Sequence, residues 1–252
     1  MTRLIAFCES PGDFRVASDL IDRVLREEGP SWVVDLIDEH PDAVRIWHPA
    51  HERSTFFDVH AWRKQARALG VPIPHGHFNG RPGGAGALMA RTLFHIVRAL
   101  NRHASESEAI RAVVLVWDMD QQSSDRRRGL RDARDEAQTW ASFQIVIGCP
   151  DPEREAWVLA GFEPADDAER ARLEAAQRQL GFSPTEQAHR LASKDDLPKH
   201  VLHALVNGDP EREARCWRET PLDLLWERGE QSGLREYLDQ VRRHILPLMT
   251  RG

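Results

Sequence analysis

Residues 112–120 read AVVLVWDMD and decide the fold that we expect for this chain. Five apolar residues, AVVLV, run without a polar interruption, and two aspartates, Asp118 and Asp120, follow shortly after them. A continuous apolar run of this length is typical of a strand buried on both faces, as the central strands of parallel sheets are. The two carboxylates are therefore expected at the carboxyl end of a central strand.

The spacing of Asp118 and Asp120 has two interpretations. In an extended chain, positions two apart project on the same side, with Cα atoms roughly 6–7 Å apart. Two like charges at that separation repel unless a cation lies between them or one carboxyl is protonated. The alternative is a simple turn closed by an aspartate cap, which needs no ligand.

The composition is that of an ordinary globular protein. Of 252 residues, 41% are hydrophobic and 29% are charged, which suits one α/β domain with an extension or two small domains. The sequence shows neither an apolar run of ~20 residues nor the layout of a signal peptide, so we expect a cytoplasmic protein without a membrane segment. Its cysteines, Cys8, Cys149 and Cys216, are widely spaced and suggest neither disulfides nor a zinc site.

The net charge of the chain is -6, and its sequence pI is about 6.1. Because the global field is negative, any contact with nucleic acid has to come from a local basic patch or from a partner. A cluster of metal-binding carboxylates would also lower the net charge, so this value alone favours neither interpretation.

A further acidic residue follows the first predicted strand. Residues 3–8, RLIAFC, form a short apolar run, and Glu9 comes directly after it. A tight turn at residues 10–12 leads to Asp13, the predicted N-cap of a helix with apolar residues at helical spacing. Strand, acid, turn and helix open a βαβ unit, which places Glu9 at the carboxyl edge of the sheet.

The region between the two acidic strand ends is mixed. Residues 32–37 and 44–47 are predicted strands, and residues 57–69 return to helical spacing before Gly70 ends them. The least regular segment, PIPHGHFNGRPGGAG at 72–86, comes next and runs into a predicted helix at 87–102.

Two features of that irregular segment could bind ligands. The backbone N–H groups of Gly83 and Gly84, just before a helix, could contact a phosphate, although the Walker pattern is missing. The alternative for these glycines is a flexible loop. His75 and His77 form a His-x-His pair, but without a third ligand nearby they are better explained as loop histidines.

Basic residues follow the central strand. Ser123 or Ser124 is the predicted cap of the next helix, and Arg126, Arg127 and Arg128 lie near its start. Beside a carboxylate site for a metal, such arginines would suit phosphodiester binding, and Arg126 and Arg127 are our candidates. The alternative is a solvated helix face with ion pairs.

The remaining pattern divides the chain into two parts. A strand is predicted at 143–147 and a helix at 153–162, on which Glu155 could lean toward the acidic edge. From residue 163 the pattern is helical throughout, with helices predicted at 166–180, 183–191, 199–206, 211–217 and 234–245. We therefore predict an α/β domain at 1–162, with a mainly parallel sheet flanked by helices, and an all-helical extension at 163–252 packed on it.

Three acids are expected to meet at one edge of this sheet. A doubly wound sheet brings the strand ends that carry Glu9, Asp118 and Asp120 to the same side. Oxygen donors without thiolates or a compelling histidine select a hard cation, Mg²⁺ or Mn²⁺, over zinc. Because substrate phosphates usually complete the shell of Mg²⁺, chemistry on a phosphodiester is the expected use.

The segments that carry these acids resemble the two signature motifs of the Toprim fold. FCES around Glu9 and VVLVWDMD around Asp118 and Asp120 match them in order, and the likeness covers about residues 1–162. The loop GRPGGAGAL and the Glu-Ala-Trp helix make the chain most similar to small stand-alone Toprim-like proteins of unknown function, related to OLD-type nucleases. Ser10 departs from the glycine that usually follows the glutamate, which affects the local turn rather than the carboxylate.

This resemblance implies a Mg²⁺- or Mn²⁺-dependent nuclease, with DNA as the expected substrate. By position, Glu9 would bind metal and act as general acid or base, and Asp118 and Asp120 would bind metal. A second metal is held by further acids in OLD-type nucleases, and Glu155 is the best match here.

The resemblance also implies a catalytic lysine and a partner. Lys199 and Lys194 are the candidates for a lysine that stabilises transition-state charge, because this arginine-rich chain has few lysines. Related chains look like effector subunits that work with an ABC-type ATPase in phage defence, and this chain carries no ATPase motif of its own. A topoisomerase is disfavoured because the one tyrosine, Tyr237, lies in the C-terminal helical part.

Two other functions remain open. A HAD-type phosphatase also uses Asp-x-Asp after a strand, with its first aspartate as the nucleophile. It carries that motif on its first strand with Thr or Gly soon after, whereas here the strand is a later one and Gln121 follows. A non-catalytic interaction module of Toprim shape would keep the same acids for structural reasons.

Overall fold

A computed structural model describes residues 1–49, 55–78, 80–191 and 197–250 of the protein. The strands in these residues are β1 (Thr2–Cys8), β2 (Arg45–Trp47), β3 (Phe57–Asp58), β4 (His77–Phe78), β5 (Arg81–Pro82), β6 (Ile110–Val116) and β7 (Gln144–Gly148). The α-helices are α1 (Pro11–Glu28), α2 (Ser31–Leu36), α3 (Pro41–Val44), α4 (Trp62–Ala68), α5 (Ala87–Asn101), α6 (Ser123–Ala137), α7 (Glu155–Ala160), α8 (Asp167–Leu180), α9 (Pro198–Val206), α10 (Pro210–Arg218), α11 (Leu222–Arg228), α12 (Leu234–His244) and α13 (Leu246–Met249). No helix in these residues is long and apolar enough to cross a bilayer.

The main sheet is parallel and has the strand order β2-β1-β6-β7, with the short β3 pairing beside the end of β1. The pairing of β1 with β6 runs up to Phe7 opposite Leu115, and that of β6 with β7 up to Val116 opposite Gly148. The predicted central strand is confirmed, because β6 lies between two parallel neighbours. The carboxyl ends of β1, β6 and β7 consequently share one edge of the sheet.

Side chains of β6 alternate between two apolar cores. Val114 and Val116 lie in a core with residues of α1, α7 and α12, whereas Val113 and Leu115 lie in a second core with residues of α5 and α6. All four side chains are at most 1% exposed. Both faces of the strand are covered from residue 112 to residue 116, where every residue is apolar. The predicted α/β fold with a helix-flanked, mainly parallel sheet is therefore confirmed.

The described residues after 162 are helical and contain no strand. Their α12 contacts the edge strand β7, where the Gln240 amide donates to the backbone oxygen of Ile147 and accepts from its N–H at 2.9 and 3.0 Å. Tyr237 of the same helix is fully buried and donates to the backbone oxygen of Ala17 at 2.9 Å. These contacts attach α12 to β7 and to α1, while the division into domains at residue 162 stays a prediction.

Ser10, rather than Asp13, caps α1, so the predicted N-cap is wrong. The Ser10 hydroxyl accepts from the N–H of Asp13 at 3.2 Å, and the Asp13 carboxylate accepts from the N–H of Ser10 at 2.8 Å. This reciprocal pair is a capping box, and Pro11 occupies the first helical turn. The serine that replaces the expected glycine therefore begins the helix that follows Glu9.

Residues 32–36 of the predicted strand 32–37 belong to helix α2 and Ile37 is its C-cap, so that prediction is wrong. Their β-branched residues suggested a strand, but Val33 and Ile37 are buried one helical turn apart while Val34 is 42% exposed. The segment at 57–69 was predicted to be wholly helical, and its first residues instead form β3, because they pair with the end of β1. The predicted strand at 44–47 is confirmed as β2, which begins one residue later.

The predicted helix at 183–191 and the predicted serine cap of α6 are also wrong. Residues 183–191 form turns and a short 3-10 helix at Ala188–Arg190 rather than an α-helix. The hydroxyls of Ser183 and Thr185 bond to each other at 3.1 Å, and such local side-chain bonds compete with helix formation. Neither predicted serine caps α6, because the chain enters that helix from a 3-10 turn at Asp120–Gln122.

Candidate metal centre

The carboxylate of Glu9 lies against the residues that follow β6. Its Oε1 accepts from the indole N–H of Trp117 at 2.8 Å, and its Oε2 accepts from the backbone N–H of Asp118 at 3.3 Å. This contact arises because β1 and β6 are parallel neighbours that end at the same edge. The structure thus brings together two of the three acids that the sequence placed at that edge.

Asp118 lies at the centre of a group of carboxylates. Its Oδ1 accepts from the backbone N–H of Arg154 at 3.1 Å, and its side chain is largely buried. Burial, together with the negative charges of Asp13, Glu9 and Glu155 in that order, raises the pKa of Asp118 to about 9. The environment therefore favours either a proton or a cation at this position.

Burial also raises the pKa values of the two neighbouring acids, Glu9 and Asp13. For Glu9, hydrogen bonds from the N–H groups of Asp118 and Trp117 oppose the effect of burial; for Asp13, the hydrogen bonds with Ser10 and the charge of Arg154 do so. Ionisation of these acids is consequently less favourable at this edge of the sheet than in water.

Asp120 does not project beside Asp118 as an extended chain would place it, so that prediction is wrong. Met119 is buried in the core and has helical backbone angles, and Asp120 has a positive φ of 46°. The side chain of Asp120 is 61% exposed and pairs with Arg126 at 2.9 Å. Burial of Met119 turns the chain and leaves Asp120 exposed, although the charge of Asp120 still contributes to the raised pKa of Asp118.

Arg154 is the main positive charge within the acidic cluster. Its guanidinium contacts Asp13 at 3.6 Å, Glu213 of α10 at 3.0 Å, and Glu155 at the start of α7. Glu155 therefore does lie at the acidic edge, where the sequence placed it, but in an ion pair. Gly12 allows this approach, since a Cβ there would lie 3.2 Å from the guanidinium carbon of Arg154.

Three residues at the acidic edge were not predicted from the sequence: Asp13, Arg154 and His60. The Nε2 of His60 lies 3.0 Å from the Oε1 of Glu9, and His60 follows the two-residue strand β3. Asp13 could have been found as the third residue of a capping box four positions after Glu9. A strand as short as β3 leaves no pattern that would have indicated His60.

Lys199 lies at the outer side of the cluster. Its backbone N–H donates to Glu153 at 3.1 Å, and its side chain is exposed. Burial raises the pKa of Glu153, as do the charges of Glu155 and Asp120, whereas the charge of Lys199 and the hydrogen bond from its N–H lower it. Lys199 is thus near the acids, and the other candidate, Lys194, lies outside the described residues.

The predicted phosphate-binding arginines are engaged within the protein. Arg126 lies over the Trp117 ring, 4.3 Å from its centroid, and donates to the backbone oxygen of Asp118. Arg127 pairs with Asp151 at 3.1 Å and lies 3.7 Å from Glu236. Both arginines thus have structural partners at the positions where they were expected to meet a phosphate.

Gly83 and Gly84 also have structural reasons to be glycine. The N–H of Gly83 donates to the backbone oxygen of Gly76 at 2.9 Å. Gly84 packs so closely on α6 that a Cβ would lie 2.5 Å from the backbone oxygen of Asp125. Asp125 also accepts from the N–H of Ala85 at 2.8 Å, so α6 occupies the side of the loop on which a phosphate was expected.

The donor atoms of these residues suit a hard dication, but the positions of the side chains do not form a binding site for one. Glu9, Asp13, Asp118 and Glu155 offer oxygen donors only, which suits Mg²⁺ or Mn²⁺. Among the described residues, however, no three His, Cys, Asp or Glu side chains meet closely enough to hold one ion. Glu155 is held by Arg154, so these acids could surround an ion only after that ion pair opens.

No protein-family model, curated protein or solved structure matches the chain. The class is therefore defined by the fold and the site: a helix-flanked α/β protein whose parallel sheet carries buried carboxylates at its carboxyl edge. Ligands of open α/β sheets bind at this edge, which makes it the candidate functional site.

Proposed function

We propose that the protein is a Mg²⁺- or Mn²⁺-dependent nuclease that hydrolyses phosphodiester bonds in DNA. One observation carries this proposal: at the carboxyl edge of the sheet, where open α/β sheets bind ligands, the Glu9 carboxylate after β1 accepts a hydrogen bond from the backbone N–H of Asp118, which follows the neighbouring parallel strand β6. The carboxylates of Asp13 and Glu155 surround them, and Arg154 offsets only part of the charge. An oxygen-rich, negatively charged pocket of this kind suits a hard dication with a bound phosphate.

The roles follow from the contacts of each side chain. Glu9, Asp13, Asp118 and Glu155 would hold the cation, which neutralises phosphate charge and activates water when bound. The hydrogen bonds from Trp117 and from the backbone of Asp118 fix the Glu9 carboxylate. Its position suits it to take a proton from an attacking water at Oε2.

Arg154 and Arg126 position the acids rather than the substrate. Arg154 orients Glu155 and Asp13, and Arg126 holds the exposed Asp120 beside the turn that follows β6. Lys199 lies next to Glu153 on the outer side of the cluster, where it would stabilise negative charge that develops on the phosphate.

The Toprim resemblance supports the same function. Its two motifs fall at the ends of β1 and β6, which are adjacent and parallel, in a helix-flanked sheet compatible with that fold. On this proposal the chain is a Toprim-type effector that works with an ABC-type ATPase partner in phage defence, and the partner would supply the ATP-driven step.

A non-catalytic interaction module is the second candidate. The observation that favours it is the lack, within the described residues, of three acidic or histidine side chains that meet at one point. In such a module, the contact of Glu9 with Asp118 would only connect β1 to β6. The HAD-type phosphatase is less favoured, because the Asp-x-Asp motif follows β6 rather than β1.

A nuclease assay separates these candidates. Supercoiled, linear and single-stranded DNA and RNA are incubated with the purified protein and Mg²⁺ or Mn²⁺. The test variants are Glu9→Gln and Asp118→Asn, which keep the shape of each side chain, and the matched control is Glu106→Gln at an exposed position. The proposal predicts cleavage of DNA that both test variants abolish and the control retains.

A metal-binding measurement completes the test. If neither cation raises the melting temperature and no substrate is cleaved, the non-catalytic module is correct. Cleavage of a phosphate monoester without cleavage of DNA would instead indicate the phosphatase.

A further inference from the structure

A cavity of about 890 Å³ lies between the β4–β5 hairpin and the outer face of α6. Its volume falls within the range of small-molecule sites, roughly 300–1,000 Å³. The residues that α6 contributes recur at helical spacing and form one face of that helix. They are Arg128, Asp132, Asp135 and Glu136, and Thr139 lies just beyond the end of the helix. The acidic cluster of the proposed nuclease does not line this cavity.

Arg91 of α5 builds one wall of the cavity. It is 4% exposed, donates to the backbone oxygens of His75 and His77, and pairs with Glu136 of α6. Its guanidinium carbon lies 3.5 Å from the centroid of the Phe78 ring, and its buried Nε has no hydrogen-bond partner among the described residues. These contacts tie the hairpin to two helices and so preorganise one wall of the cavity.

The cavity is lined by charges of both signs. Arg81 of the hairpin and Arg128 of α6 are exposed, and Asp132 and Asp135 lie further along α6. Arg128 pairs with Asp125, but exposed pairs of this kind are weak, and Arg128 can exchange that partner for a ligand oxygen. A simple anion would meet the two aspartates, and a simple cation would meet the arginines. The lining instead suits a ligand with an anionic group at one end and hydrogen-bond donors at the other.

We propose that this cavity binds a nucleotide. The phosphate would be held by Arg81 and Arg128, since guanidinium groups bind phosphate in a bidentate manner. Sugar hydroxyls or base amino groups would donate to Asp132 and Asp135. The exposed imidazole of His77 offers a ring on which the base can stack. An amino acid has a similar charge pattern but would leave most of the volume empty.

The same chemistry occurs in a free nucleotide and at the end of a nucleic-acid strand. Helix α6 connects the cavity to the acidic edge, because Arg126 lies at that edge and Asp132 lines the cavity. The two residues are about 9 Å apart along the helix axis at the usual rise per residue. A strand bound at the acidic edge could therefore place a neighbouring nucleotide in the cavity.

Calorimetric titration of the full-length protein in EDTA tests the proposal without hydrolysis. The first arm uses the 5′-monophosphates of adenosine, guanosine, cytidine and uridine, and the second a 5′-phosphorylated single strand of about ten nucleotides. Inorganic phosphate and the free nucleosides are the reference ligands. The test variants are Arg81→Ala and Arg128→Ala. Arg131→Ala is the matched control, because Arg131 is exposed on the same helix but faces Glu236 outside the cavity.

In at least one arm, the nucleotide is expected to bind at least about tenfold more tightly than either reference ligand. Each test variant should weaken binding by about tenfold or more, as expected for a lost charged hydrogen bond, and the control by less than about twofold. Binding in the first arm assigns the cavity to a free nucleotide, and binding in the second arm alone assigns it to a strand end.

Three results would overturn the proposal. They are no saturable binding in either arm up to about 5 mM, equal binding of inorganic phosphate, or equal weakening by the control variant. Melting temperatures of all variants are measured alongside, and unchanged values show that a loss of binding does not reflect unfolding.

Discussion

Replacement of Asp118 by asparagine should change how the stability of the protein depends on pH. The pKa of Asp118 rises from its ordinary value of 3.8 to about 9 in the folded protein, first because the carboxyl is buried and then because other carboxylates surround it. The folded state therefore holds the proton more tightly than the unfolded chain does. This contribution to stability is complete below the ordinary pKa and is lost as the pH rises through about 9.

The slope can be calculated from this shift. Between the two pKa values, the free energy of unfolding of the wild type should fall relative to that of Asp118→Asn by at most about 1.4 kcal/mol per pH unit. The value is an upper limit because Glu9 and Asp13 share in the titration of the cluster. Asparagine does not titrate, and its side-chain oxygen can still accept from the N–H of Arg154.

Urea denaturation in EDTA at a series of pH values from 5 to 9 measures this slope. Asp135→Asn is the matched control, because the side chain of Asp135 is 65% exposed. The unfolding free energy of the wild type minus that of Asp118→Asn should become steadily more negative as the pH rises, while the control should follow the wild type. A flat difference for Asp118→Asn would refute the claim that buried negative charge concentrates at this position.

Three further predictions concern the same edge of the sheet. Mn²⁺ at about 100 times its dissociation constant should raise the free energy of unfolding of the wild type by about 2.7 kcal/mol. Calorimetric melting of Glu9→Gln should show a smaller rise. Equal rises in the two proteins would mean that the ion binds elsewhere. Arg154→Gln should lower the free energy of unfolding by about 3 kcal/mol or more, because it leaves buried carboxylates such as Asp13 without their ion-pair partner. Urea denaturation measures the loss. An unchanged free energy of unfolding would show that Arg154 does not offset the charge of these carboxylates. Ser10→Ala should lower the free energy of unfolding by about 1 kcal/mol, because the α1 cap is lost. An unchanged melting temperature would contradict this prediction.

The two central strands could be predicted because of where they lie. Strands β1 and β6 are covered on both faces over residues 4–8 and 112–116, which are continuous apolar runs for that reason. Helix α2 was mistaken for a strand because its β-branched residues suit a sheet, and only the burial of Val33 and Ile37 one turn apart reveals a helix. Strand β3 is too short for any period to appear, and it forms because the end of β1 has an open edge beside it.

The site residues that follow predictable strands could be placed from the sequence, and those that reach the site through turns and loops could not. Glu9 and Asp118 could be placed together from the sequence, since each follows a predictable strand and parallel strands end on one side. Asp120 could not be placed, because its position depends on whether Met119 enters the core. Arg154 and His60 reach the acids through loops whose course depends on tertiary packing, and no local pattern determines such a course.

The charge of Asp118 has no structural use that the described residues reveal. Among the described residues, the carboxylate accepts one hydrogen bond, from the backbone N–H of Arg154. An asparagine oxygen could accept this hydrogen bond equally well. Burial and the neighbouring acids make the ionised form unfavourable, so the protein is less stable with aspartate at neutral pH than an uncharged side chain of the same shape would make it. A residue that lowers stability where a neutral isostere would serve is best explained by function. A divalent cation bound at this edge of the sheet would favour the ionised form of Asp118, which is what the proposed metal site requires.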